Sequence, residues 1–366
     1  MKLTVILIVA ILAAASPAYA QLGGLMKKAQ EGKQQFDDMN ITEAEEIELG
    51  SDVSAKVRQR FGVVQDPAVH KYVALVGTVL AEQTTRPKLP WTFIVLDTDG
   101  VNAFAAPGGF VHITRGALGL IKSEAELAGV LGHEIAHVAQ KHTVNAIRKS
   151  KGVQLGTSAA TSDRGAFLDR LANRAYDMVL ENSFDRGDEL DADKEGIVLV
   201  QKAGYAGPAL AEFLARLAER NKSMVEKNGL FASHPETQER IAKVKALAGS
   251  KPGAVVAARY ASSIKYQPTD ITKIAVIVEG SAGLTGGATE KPKPEAKKEE
   301  EPKRKGFGLS NLTKTVTGEK NEQQVSASGG ARGLGADRLA KGGDNPNPVK
   351  TSIAPDDLAA FKKGIA

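Results

Sequence analysis

The chain has 366 residues, 42% of them apolar, and no cysteine, which excludes a disulfide scaffold, a thiol nucleophile and any thiolate metal site. Its net charge is +5, but residues 251–366 hold 19 Lys and Arg against 13 Asp and Glu, leaving 29 against 30 before them. The basic excess therefore belongs to the C-terminal part, and the first 250 residues offer no basic surface for nucleic acid.

In chain order, Lys2 precedes a run from Leu3 to Ala15 that is apolar but for Thr4, followed by Ser16, Pro17 and Ala18-Tyr19-Ala20. That is the pattern of a secretory signal cleaved after Ala20. The run is too short to span a bilayer and is the longest apolar stretch in the chain, so a polytopic membrane protein is excluded and a periplasmic location is expected. Residues 21–40 read as a linker. Thr42 stands three before Glu45, a capping box that opens a helix running to about Phe61. Asp66-Pro67 opens a second, with Val69, Tyr72, Val73, Val76 and Leu80 at helical spacing. Trp91 to Leu96 is β-rich and ends in the turn Asp97-Thr98-Asp99-Gly100, and Asn102 to Thr114 reads as a hairpin around Pro107-Gly108-Gly109. Ser123 with Glu126 forms another capping box. The helix behind it is apolar on nearly every side from Ala125 to Val144, as a centrally buried helix is. Ser150 to Gly165 reads as a mobile loop, after which helices resume to about Ala203 and again from Pro208 to Glu219. Weak alternation at Tyr260, Ser262, Ile264 and Tyr266, and at Ile274, Val276 and Val278, suggests a small β element within 251–280. Residues 281–366 read as a disordered low-complexity tail, with seven basic and five acidic residues and three prolines between Glu290 and Lys305.

The chemistry is concentrated in His133-Glu134-Ile135-Ala136-His137. Residues four apart on a helix point the same way one turn up, so the two imidazoles converge on one spot as a metal clamp. Glu134 is displaced by about 100°, outside the ligand set but close enough to move a proton there. His142, nine residues after His133, falls nearly opposite it on a continuous helix and is set aside as a third ligand. A metzincin would carry Gly and His at positions occupied by Gln140 and Thr143, so that class is rejected. The acidic stretch from Asp188 to Asp193 offers carboxylates instead. Glu189 and Asp193 share one helical face, so one can bind metal while the other orients a ligand histidine. His70 and His112 carry no functional signal.

Four ordered motifs then resemble peptidase family forty-eight, the zinc endopeptidases that include the CAAX prenyl endopeptidases, HtpX and the periplasmic BepA-like enzymes. They are HEIAH preceded by Glu-Leu-Ala-Gly-Val-Leu-Gly; Glu-x-x-Ala-Asp-x-x-Gly at Glu189 to Gly196; Asn-Ala-Phe-Ala-x-Pro-Gly-Gly at Asn102 to Gly109; and Ser233-His234-Pro235 with Arg240-Ile241. The resemblance covers about residues 40–250. It implies one zinc ion per chain held by His133, His137 and Glu189, with Glu134 as general base and Asp193 supporting a ligand from behind. The membrane spans of the prenyl endopeptidases and the helical repeats of some periplasmic members are absent, so their recruitment of partners does not transfer.

The expected fold is α+β: a mainly helical zincin-type domain over residues 41–250 with a small β-sheet beside the active-site helix, and the tail beyond. Substrate is expected to pair with the strand Phe110, Val111, His112, Ile113 as with a sheet edge. His234 is expected to gate the metal, stabilise an oxyanion or cap the helix that Pro235 begins. The expected activity is hydrolysis of unfolded or misassembled envelope proteins, with no nucleic-acid partner and an envelope partner met by the basic tail. The alternative is a periplasmic chaperone or assembly scaffold with a latent metal site.

Overall fold

The computed structural model describes residues 41–149, 164–181, 184–220, 237–250, 252–270 and 345–365. The expectations for the signal, the linker, most of the 150–165 loop, His234, the alternation at Ile274, Val276 and Val278, and the 281–344 part of the tail lie outside these residues.

Helix α1 (Glu43–Phe61) opens with a closed capping box: Thr42 Oγ1 accepts from the Glu45 N–H at 3.2 Å and the Glu45 carboxylate accepts from the Thr42 N–H at 2.8 Å. Helix α2 (Pro67–Ala81) has proline in its first turn and Asp66 accepting from Ala68 and Val69. Strands β1 (Thr92–Leu96), β2 (Ala103–Ala106) and β3 (Phe110–Thr114) form one sheet in the order β1-β3-β2. β1 runs parallel to β3 from Thr92↔Phe110 to Leu96↔Thr114, and β2 runs antiparallel to it from Ala103↔Ile113 to Ala106↔Phe110. Gly108, at φ +72° in the turn before β3, meets the α1 backbone so closely that a Cβ would lie 2.5 Å from Ile47 Cα, a position only glycine fills.

The sheet is buried on both faces because alternate residues serve two cores. Phe93, Val95, Ala103, Val111 and Ile113 join α2 and α4 (Glu124–Ala139), whereas Ile94, Leu96, Phe104 and Ala106 join α1 and α6 (Arg164–Glu181). Every residue of α4 is buried, as its all-round apolarity predicted. Ser123 caps it by accepting from the Glu126 N–H. The box is not closed: the Glu126 carboxylate turns to the Lys122 N–H and to Arg216 on α8 (Ala209–Arg220). At the same end the fully buried Glu124 carboxylate accepts from Tyr72 and Tyr205, each at 2.7 Å, and pairs with Arg259. Burial, and after it the Glu124 carboxylate, pushes both phenols far above their ordinary pKa. That carboxylate fixes one end of α4 to three other parts of the chain.

Three expectations are corrected. Helix α4 stops at Ala139 instead of running to Val144, and α5 (His142–Lys149) starts anew. Tyr260 and Ser262 belong to helix α10 (Ala257–Ser263), not to a hairpin; Tyr260 and Ile264, four apart, are both buried on one face, a spacing that alternation mimics. Residues 345–365, which the expected disordered tail included, are ordered. Asn345, Pro346 and Asn347 accept through their carbonyls from Val63, Arg58 and Gln65, and α11 (Pro355–Lys363) lays Phe361 into the α2 core. Few large apolar residues hid this segment, but two of them, Phe361 and Ile365, are buried. No described helix is long and apolar enough to cross a membrane.

Candidate metal centre

His133 and His137 stand one turn apart on α4, with ring centroids 4.7 Å apart, planes at 76° and Nε2 atoms 3.0 Å apart. Helix α7 (Arg186–Lys202), capped by Asp185, brings Glu189 against them: its carboxylate oxygens lie 3.6 Å from His133 Nε2 and 3.4 Å from His137 Nε2. The two helices approach this closely because glycine meets glycine. A Cβ on Gly196 would lie 2.9 Å from the His133 nitrogen and 3.0 Å from the Gly132 carbonyl carbon, so any larger residue there would separate Glu189 from the histidines. One ligand atom from each of His133, His137 and Glu189 lies within 4.8 Å of the others, and all three residues are buried.

Asp193, one turn on along α7, places Oδ1 3.0 Å from His133 Nδ1. An ionised carboxylate only accepts, so this contact requires the His133 proton on Nδ1 and leaves Nε2 facing the cluster. Behind Asp193 sits Arg240 on α9 (Thr237–Ala248). Its guanidinium donates to both Asp193 oxygens at 2.8 and 2.7 Å and lies 3.1 Å from the Glu189 carboxylate. Burial alone would raise the Asp193 carboxyl, but the Arg240 charge and the hydrogen bonds from His133 and Arg240 hold it well below the ordinary range. Burial works against the Arg240 cation too, and the Asp193 and Glu189 charges overcome it, so Arg240 is held charged. Glu134 is buried one position beyond His133, close enough for its charge to bear on Arg240.

Two further side chains reach the centre. Phe184, just before the α7 cap, stacks on His137 at 4.2 Å and 30°. His142 is nearer than a continuous helix allows: Lys141 adopts φ +58° after α4 ends, and the reversal sets His142 Nδ1 2.9 Å from His137 Nδ1. It is not one of the three converging ligands, but it touches one of them. Arg240 was visible in the sequence only as a motif residue, and nothing in the sequence around Phe184 marked it.

The strand expected to bind substrate is placed otherwise. β3 is the middle strand, paired along both edges, so Phe110, Val111, His112 and Ile113 offer no free edge. His112 points to α1, where it hydrogen-bonds Ser54 at 2.9 Å, and burial lowers its pKa to about 3. His70 is a core residue 2.8 Å from the Val64 carbonyl.

Two imidazole nitrogens and a carboxylate, buried and with one histidine held from behind by a carboxylate, are a donor set that fits a divalent metal ion. Comparison with known proteins agrees. Residues 67–248 match the profile of Peptidase family M48. That span is an M48 peptidase domain. The chain is 29% identical over 212 residues to the putative beta-barrel assembly-enhancing protease of Vibrio cholerae, an alignment covering 55% of this chain and 43% of that protein. It is 25% identical over 213 residues to the beta-barrel assembly-enhancing protease of Escherichia coli, with the same coverage. It is 26% identical over 218 residues to the mitochondrial metalloendopeptidase OMA1 of Schizosaccharomyces pombe, covering 58% of this chain and 63% of that one. The chain spans less than half the length of the two assembly-enhancing relatives. All three metal-facing residues, with Glu134, Asp193 and Arg240, fall inside the M48 span.

Proposed function

We propose that this chain is an exported zinc metalloendopeptidase that cleaves unfolded or misassembled envelope proteins. The observation that carries the reading is the convergence of His133, His137 and Glu189 inside an M48 domain, with Glu134 at the next position along the same helix. Nitrogen and carboxylate donors of this kind suit zinc, with three protein ligands and one position open to substrate. The apolar run from Leu3 to Ala15 and Ala18-Tyr19-Ala20 support export to the periplasm, and the names of the assembly-enhancing relatives support a substrate among envelope proteins.

When bound by His133, His137 and Glu189, zinc would supply Lewis acidity that polarises the scissile carbonyl and lowers the pKa of water enough for a neighbouring base to deprotonate it. The chain's own groups do the rest. Glu134 takes the proton of the attacking water and delivers it to the leaving amine nitrogen. Asp193 and Arg240 keep His133 in one tautomer and orientation, and Phe184 packs an apolar ring over His137. The burial of Glu134, Asp193, Arg240 and the two histidines strengthens their mutual electrostatics by excluding water.

The test is digestion of casein, and of an unfolded outer-membrane β-barrel, by the purified chain. Cleavage of both is expected, stopped by a chelator and restored by zinc. A zinc-loaded chain that prevents aggregation of the β-barrel without cutting either protein would instead establish the scaffold reading.

A further inference from the structure

We propose that His142 is a positioning residue of the metal centre, fixing His137 in the tautomer that offers Nε2 to the metal. The proposal rests on His133, His137 and Glu189 being metal ligands. On an unbroken helix, His142 would sit five residues and about 140° around from His137, facing away from it. Instead α4 ends, Gln140 stays helical at φ −84°, and Lys141 takes the left-handed conformation at φ +58°, which is strained for a residue with a side chain.

The reversal is held from outside. Lys141 Nζ lies 3.0 Å from the buried Glu46 carboxylate of α1. Arg86 is held by the same carboxylate and donates to the Val138 carbonyl at the end of α4. Strain kept in place by an external clamp is characteristic of a position with a task. Here its result is the meeting of two rings, with centroids 4.9 Å apart at 79°.

The tautomers follow from the geometry. His137 Nε2 faces His133 Nε2 and Glu189, so the His137 proton is on Nδ1 and points to His142 Nδ1, 2.9 Å away. His142 must accept there, which puts its own proton on Nε2, directed toward Asp191 Oδ2 at 3.4 Å and Asp188 Oδ1 at 4.0 Å. The two ligand histidines are thus supported differently: His133 by an anion, His137 by a neutral imidazole. The difference has an electrostatic reason. Glu134, Glu189 and Asp193 already gather around one buried cation, Arg240, and a further buried carboxylate behind His137 would add an anion without a partner.

The experiment measures the zinc dissociation constant by chelator competition for the full chain, His142→Leu and His142→Asn. Leucine fills the space without an acceptor, and asparagine places an oxygen near the Nδ1 position. Zinc is expected to bind about 10- to 100-fold more weakly to His142→Leu, with most of the loss recovered in His142→Asn. Equal affinity in wild type and His142→Leu overturns the proposal, as does His142→Asn binding as weakly as His142→Leu. Long-range proton–nitrogen spectra of the zinc-loaded wild type need no variant to fold: His137 should carry its proton on Nδ1 and His142 on Nε2, and a proton on His142 Nδ1 overturns the proposal. Absence of zinc binding by the wild type would instead remove the ligand reading on which the proposal rests.

Discussion

Replacing Phe361 with alanine removes the anchor by which the end of the chain holds the domain. The ring is 8% exposed, lies edge-on to Tyr72 at 6.1 Å and sits under the Arg259 guanidinium at 4.1 Å. Truncation of a core phenylalanine costs about 3–5 kcal/mol. At the edge of the core the lower figure applies, because solvent and α11 can relax into the gap. For a domain of this size 1 kcal/mol moves the melting temperature by about 2–4 °C, so the variant should melt about 6–12 °C lower. The loss includes more than packing: Arg259 also donates to the Phe361 carbonyl while pairing with Glu124 at the start of α4, so α11 braces the residue that fixes the active-site helix. The assay is thermal melting by circular dichroism in one buffer with one metal content. Asp357→Ala is the comparison, since its pair with Lys71 is largely exposed and should barely matter. A Phe361→Ala melting temperature within a degree or two of wild type would refute the reasoning, and residues 345–365 would then be a passive appendage.

Arg240→Met should lower stability by about 3 kcal/mol or more in guanidinium denaturation, because Asp193 and Glu189 would remain buried without their cation; a loss below about 1 kcal/mol would contradict the charge balance. Glu189→Gln should weaken zinc binding in chelator competition while Glu134→Gln leaves it intact, since only Glu189 joins both histidines; like behaviour in the two variants would undo the division of roles. His112 has a folded pKa lowered to about 3 from 6.5, so the folded chain keeps it neutral while the unfolded chain gains a proton as pH falls below 6.5. Its contribution is present above 6.5 and lost on acidification through that window, at about 1.4 kcal/mol per pH unit. The stability gap between wild type and His112→Asn should therefore shrink by about 2 kcal/mol from pH 7 to pH 5, and a gap independent of pH would contradict this.

What was legible in the sequence is what local chemistry determines. Thr42 with Glu45 and Asp66 with Pro67 start helices through their own backbone hydrogen bonds, and the four-residue spacing of His133 and His137 needs only a helix to bring two rings together. What was not legible depends on distant partners. The break after Ala139 follows no glycine or proline; Lys141 turns left-handed where Glu46, ninety-five positions earlier, holds its ammonium, so helical spacing alone puts His142 on the far side of one long helix, where it does not lie. The position of β3 in the middle of the sheet depends on which side of it β1 pairs, and no strand carries that information alone. Arg240 stands next to Asp193 because α9 packs on α7, and the sequence separation of forty-seven residues gave no hint of it. Residues 345–365 are not legible because the composition of a long polar segment conceals the two apolar residues, Phe361 and Ile365, that decide their outcome.

The central claim is tested most directly by measuring zinc content and casein hydrolysis on the same preparations of wild type and Glu134→Gln. The account predicts one zinc per chain in both proteins, hydrolysis by the wild type, and none above background by the variant, because the ligands are untouched and only the group that moves the proton is lost. A Glu134→Gln protein that digests casein at the wild-type rate, or a wild type that takes up no zinc, would contradict it.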